Sequence, residues 1–155
     1  EWSNLVNQSM AMISDKKKQP FDGAREALKS IRSYADVVVV TAANGAEIRK
    51  EWEAQSLIQY TDLLVSQETG RKAECLKKLV QKGYEPGHVL MIGDSPADLK
   101  AAKEAGALFY PVLVYQERES WEAFPEILKQ FLKGTYSSEE EARQIQEFQK
   151  NLGVQ

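Results

Sequence analysis

The chain predicts an α/β fold built on a doubly wound parallel sheet, and three observations carry that expectation. Short apolar, β-branched runs alternate with amphipathic helical stretches along most of the 155 residues. That is the pattern of βαβ units joined by right-handed crossovers. The run Val37-Val38-Val39-Val40 is continuously β-branched, as suits a parallel strand covered on both faces. The run Val89 to Ile92 stops at Gly93 and is followed by Asp94, Ser95, Pro96 and Asp98. This reads as a buried strand, a tight turn and a helix with Ser95 as N-cap and Pro96 in its first turn.

The elements follow in order. Ser3 to Lys17 reads as a helix with Leu5, Val6, Met10 and Ile13 on one face. Gln19-Pro20 breaks it. Gly23 to Tyr34 is the cleanest amphipathic helix, with Ala27, Leu28, Ile31 and Tyr34 at helical spacing. Strand Val37–Val40 closes at Thr41. After the Asn44-Gly45 turn, Ala46 to Leu57 is helical, and Leu63 to Val65 is a second short strand. Lys72 to Lys82 is a helix with Leu76, Leu79 and Val80 inward and Gly83 beyond its end. Glu85-Pro86-Gly87 turns into strand Val89–Ile92. Helix Pro96–Ala105 ends at Gly106, and Ala107 to Tyr110 is the next strand. Trp121 to Leu132 is helical with Pro125 marking its first turn, and Ser138 with Glu141 forms a capping box for a polar helix to Leu152.

Bulk properties narrow the function classes. The length fits one domain with a real core. A net charge of -3 gives no reason to expect nucleic acid. No apolar run approaches the ~20 residues that span a membrane. No signal-peptide pattern is present. Cys75 is the lone cysteine, so no internal disulfide forms and the reducing cytoplasm is the expected location. One cysteine and one histidine also exclude a Cys/His zinc site within this chain.

The chemistry-bearing residues fall at element ends. In a parallel sheet, Thr41 and Asp94 close their strands on one edge, where ligands of open α/β folds bind. Asp94 and Asp98 are hard oxygen donors of the kind Mg²⁺ takes together with phosphate oxygens. Lys72 opens a helix, where a cation is disfavoured by a few tenths of a kcal/mol up to ~1. A nearby anion offsets that, and a bound phosphoryl group would serve. Arg71 reads as a surface charge, His88 and Cys75 as structural, and Trp121, Phe124 and Phe131 as core.

The ordered set Val-Val-Val-Val-Thr41, Gly-Arg-Lys72 and Ile-Gly-Asp94-Ser-Pro-Ala-Asp98 resembles the second, third and fourth motifs of the haloacid dehalogenase superfamily. The resemblance covers roughly residues 19 to 115. It implies a Rossmann-like core, and the Pro20-Phe21-Asp22-Gly23 segment looks like the re-entry from a helical cap. It further implies that Thr41 hydrogen-bonds phosphoryl oxygens and that Lys72 neutralises the nucleophile and phosphoryl group. Asp94 would bind Mg²⁺, and Asp98 would support that metal or orient Lys72. Ala42 and Asn44, in the turn after Thr41, are candidate substrate contacts.

One departure is plain. The superfamily's first motif, Asp-x-Asp, carries the nucleophile and the general acid/base, and this chain has no Asp-x-Asp. Asp15, after Met10-Ala-Met-Ile-Ser, has Lys17 at its +2 position. The first-motif strand belongs between the strands that carry Thr41 and Asp94, so without it the sheet has a gap with unpaired backbone groups. The expectation is a nucleophile upstream of this sequence. Residues 1–18 would be the last helix of the cap, 19–135 the core, and 136–155 a C-terminal helix that packs loosely or meets a partner. The implied function is a Mg²⁺-dependent phosphatase of a small phosphorylated metabolite, in the full-length parent rather than this chain alone. The alternative is a catalytically inactive scaffold of the same fold.

Overall fold

The computed structural model describes Leu5 and residues 18–153. The first expected helix, and with it the cap remnant and Asp15, falls almost wholly outside the described residues. The order is α1 (Ala24–Ile31), β1 (Val38–Val40), α2 (Gly45–Ala54), β2 (Leu63–Val65), α3 (Lys72–Gln81), β3 (Leu90–Gly93), α4 (Pro96–Ala105), β4 (Leu108–Pro111), α5 (Glu117–Lys133) and α6 (Ser138–Asn151).

Local chemistry places most boundaries. Asn44 caps α2, its side-chain oxygen accepting from the Ala46 and Glu47 amides at 3.0 and 3.2 Å. Ser95 caps α4 with Pro96 in the first turn, and Gly106 ends it at φ 69°, a left-handed stop that glycine adopts without penalty. Two boundaries differ from expectation. Helix α5 starts at Glu117 and carries Pro125 in its interior. Proline deprives the preceding turn of one hydrogen bond, but burial of Phe124, Ile127 and Leu128 holds the helix through it. The N-cap of α6 is Ser137, whose hydroxyl accepts from the Glu140 amide at 3.2 Å. Glu141 is not free for a capping box, because its carboxylate accepts from the Phe109 amide at 2.7 Å.

Helices cover both faces of the strands. One layer, from α3, α4 and α6, packs Leu76, Leu99, Ala102 and Phe148 on Met91 and Phe109. The other, from α1 and α5, packs Ile31, Phe124 and Leu128 on Tyr110, with Leu90 and Ile92 against them. The C-terminal helix is integral to the first layer: Phe148 is 1% exposed and lies 5.7 Å from Phe109 between ring centroids.

The strands do not form one continuous doubly wound sheet. Among the described residues they make two parallel pairs, β1 with β2 and β3 with β4. The pairs share a direction. At one end the Tyr84 hydroxyl, ahead of β3, donates to the Asp36 carboxylate, ahead of β1. At the other, Lys72, beyond β2, reaches Asp98, beyond β3. Between them lies a cleft of about 870 Å³, lined by residues 37–40 of the β1 side and residues 89–93 of the β3 side. The valines of β1 are consequently half-buried rather than covered on both sides.

Candidate functional site

The site is built where β1, β2 and β3 end. The Thr41 amide donates to the Val65 carbonyl at 2.9 Å, which sets the end of β1 beside the end of β2. A short turn, Gln67–Thr69, leads from β2 to Lys72 at the start of α3. Lys72 Nζ donates to Asp98 Oδ1 at 2.5 Å, tying the helix after β2 to the helix after β3. The anion that offsets a lysine at a helix N-terminus is therefore present within the chain, so no bound phosphoryl group is required to explain its placement.

Asp98 is nearly fully used. It is 3% exposed, and its Oδ2 accepts from the Asp94 amide at 3.3 Å, the Ser95 amide at 3.2 Å and the Ser95 hydroxyl at 2.8 Å. The Ser95 hydroxyl in turn accepts from the Asp98 amide at 3.2 Å. The carboxylate thus fixes the turn after β3 while holding Lys72. Gly93 makes this approach possible: a Cβ there would lie 2.4 Å from the Asp98 Cβ and 2.6 Å from its carboxyl carbon.

Asp94 stands on the exposed side of the same turn. Its amide is tied to Asp98, but among the described residues its carboxylate takes no hydrogen bond or ion pair. It lines the cleft together with Lys72 and Asp98. Thr41 Oγ1 accepts from the Ala43 amide at 3.1 Å, which leaves the hydroxyl proton free to donate. Ala42 is exposed in that turn. The side-chain oxygen of Asn44 is committed to capping α2.

Among the described residues no three His, Cys, Asp or Glu side chains group to hold a metal ion. Mg²⁺ is usually bound through one or two carboxylates, with waters and phosphate oxygens completing six positions. Asp94 fits as one such carboxylate. Asp98, with Lys72 on one oxygen and three donors on the other, is placed to orient the lysine.

The remaining candidates lie apart from this edge or serve structure. Arg71 pairs with Glu74 at 3.1 Å on the surface, and its guanidinium holds the Glu74 carboxyl below the usual range. His88 lies by Glu85 at 3.4 Å, at the opposite strand end. Cys75 is buried. Trp121 and Phe124 pack edge-on with centroids 5.7 Å apart. Two contributors escaped the sequence reading. Gly93, read there only as a strand stop, clears space for Asp98; its position directly before an acidic turn was the available signal. Ser66 is buried at the end of β2 and donates to the Glu68 carboxylate, against Gly45, where a Cβ would lie 2.6 Å from Ser66 Oγ.

Parallel strands between helix layers, with a lysine–carboxylate pair and a free carboxylate at their C-terminal ends, define an α/β protein of the kind that works in the crevice there. A family model described as haloacid dehalogenase-like hydrolase matches residues 1–112, and the chain belongs to that family. No curated protein and no solved structure matches it. Among the described residues no helix is long and apolar enough to cross a membrane.

Proposed function

We propose that this chain forms the core of a Mg²⁺-dependent phosphohydrolase acting on a small phosphorylated metabolite. The observation that carries the reading is the Lys72–Asp98 pair with the Asp94 carboxylate left open beside it. Lys72 has three N–H donors, and Asp98 occupies one. The others are available to a phosphoryl oxygen and to an attacking carboxylate, whose mutual repulsion the ammonium reduces. Asp98 keeps Lys72 on the cleft side of the sheet and acts as a positioning residue. The Thr41 hydroxyl donates to a phosphoryl oxygen, and the backbone around Ala42 forms the nearby rim. Asp94 would hold Mg²⁺, which supplies positive charge to the transferring phosphoryl group when bound. Catalysis by such a set is positioning plus electrostatic stabilisation. The 155 residues hold no Asp-x-Asp, so they supply no nucleophile of the superfamily's type and are expected to hydrolyse nothing by themselves.

The test is binding rather than turnover. Inorganic phosphate with Mg²⁺ is titrated while backbone amides are followed by NMR. Shifts at residues 41–44 and 93–95, weakened at least ~10-fold by Lys72→Ala and by Asp94→Asn, support the reading. Phosphate that perturbs no residue of this edge overturns it, and the inactive scaffold then leads.

A further inference from the structure

Two turns meet at the edge that carries Thr41 and Lys72. The Gln67 amide donates to the Ala43 carbonyl at 3.3 Å, and the Ala43 amide donates to Thr41 Oγ1 at 3.1 Å. The Thr41 hydroxyl is therefore placed by a chain of bonds that starts in the turn after β2. Lys72 is placed separately, by Asp98. What sets one against the other is the packing of the two turns.

One carboxylate holds that packing. Ser66, 9% exposed, donates its hydroxyl to Glu68. Gly45, the first residue of α2, lies against both: a Cβ there would stand 2.6 Å from Ser66 Oγ and 3.4 Å from Glu68 Oε2. Glycine admits so close an approach. The Ser66 hydroxyl above all holds the Glu68 carboxyl below its ordinary 4.5, and the Gly45 amide adds to this. The amides of Ala46 and Glu47 go to the Asn44 side chain. The first turn of α2 is thus shared. Asn44 caps two of its amides from within, and Glu68 takes the Gly45 amide from across the edge. The helix dipole favours a carboxylate at that end. Glu68 stands four residues before Lys72 and meets the chain four residues after Thr41.

We propose that Glu68 is a positioning residue of this site. Its carboxylate locks the turn of residues 41–45 to the turn after β2, so that the Thr41 hydroxyl and the Lys72 ammonium address one phosphoryl group. Glu68 touches no substrate and acts through the Thr41 turn. That role rests on the phosphohydrolase reading; the lock between the two turns does not.

Both parts are tested on the whole chain. In the free protein, Glu68→Ala is expected to hasten amide exchange at Ala43, Gly45 and Gln67 at least ~3-fold. Exchange at Asp94 and Ser95, whose amides bond to Asp98, is expected to stay unchanged. The melting temperature is expected to move by no more than about 2 °C, since Glu68 lies on the surface. Inorganic phosphate with Mg²⁺ is then titrated as before. Glu68→Ala is expected to weaken its binding about 3- to 10-fold, the size of one lost hydrogen bond. Glu68→Gln keeps an acceptor oxygen in place and is expected to restore both exchange and affinity to within ~2-fold. Ser66→Ala removes the main donor to the carboxylate and is expected to act in the same direction as Glu68→Ala. Unchanged exchange at Ala43 in both alanine variants, or equal quickening at Asp94 and Ser95, overturns the lock. Unchanged phosphate affinity with exchange hastened overturns the positioning role alone, as does a loss that glutamine does not restore. Phosphate that perturbs no residue of this edge in the unsubstituted chain sinks the phosphohydrolase reading and the role with it, while the exchange data still report the lock.

Discussion

The two flanks of the β3–β4 pair are finished in opposite ways. On the outer flank, Phe109 turns its backbone away from β3, and both its groups are taken. Its amide donates to Glu141 at 2.7 Å, and its carbonyl accepts from the Tyr136 hydroxyl at 2.9 Å. Three residues past β4's end, Asn151 bonds the Val114 amide and carbonyl, each at 3.1 Å. On the inner flank, Leu90 and Ile92 face the cleft with no such cover among the described residues. Exposed strand edges are a liability that proteins blunt with side chains, covering helices or charges. This chain blunts one flank with side chains from α6 and the loop before it. It leaves the other flank open and lines the space with aliphatic and aromatic groups. The difference argues that the outer flank is a finished boundary and the inner one a place for another strand.

The contrast is broken most severely by removing the anchor of the sealed flank. Phe148→Ala deletes a ring that is 1% exposed and packed on Phe109. A loss of about 3–5 kcal/mol in urea unfolding is expected from such a truncation. A loss under ~1 kcal/mol would mean that α6 is an ornament rather than a seal, and the two flanks would no longer differ in kind.

A milder cut isolates the hydrogen bond from the packing. Glu141→Leu keeps an apolar stem but removes the acceptor of the Phe109 amide. An unpaired buried donor costs about 1–3 kcal/mol. The substitution is therefore expected to lower stability by that amount and to hasten exchange at Phe109. The Tyr136 hydroxyl, whose pKa burial pushes up beyond the ordinary value, stays protonated and keeps its half of the seal.

These particulars also show what was readable from sequence. The turn Asp94-Ser95-Pro96 and the role of Ser95 were legible because capping and proline preference are local. The gap between β1 and β3 was legible as well, since it follows from which motifs are present and which is not. The partner of Lys72 was legible only through the resemblance, which offered Asp98 as support for the metal or as the residue that orients Lys72. Asp98 lies 26 residues away, and sequence spacing by itself carries no signal for an ion pair across two βα turns. The start of α6 was missed by one residue because Glu141, a good capping partner locally, is recruited by β4. The packing of α6 was underrated for the same reason: its few apolar residues matter through the strand edge they cover. A local rule loses wherever a distant backbone group needs a partner.

The smallest effect probes the far end of β1, where the pair is finished by charge. The Asp62 carboxylate accepts from the Val37 amide at 2.8 Å and pairs with Arg32. The Val37 amide, helped by the Arg32 guanidinium, holds its pKa below the ordinary 3.8. A carboxyl with a lowered folded pKa stabilises the fold fully above its unfolded value and loses that contribution as pH falls through the lowered one. Asp62→Asn keeps an acceptor for Val37 and removes only the charge. It is expected to cost a few tenths of a kcal/mol, at most about 1, near neutral pH, because the pair is partly exposed. The gap between the two melting temperatures should close as pH falls below the ordinary 3.8 and through the lowered value. A gap that persists in acid would assign the effect to packing at the start of β1 rather than to the charge.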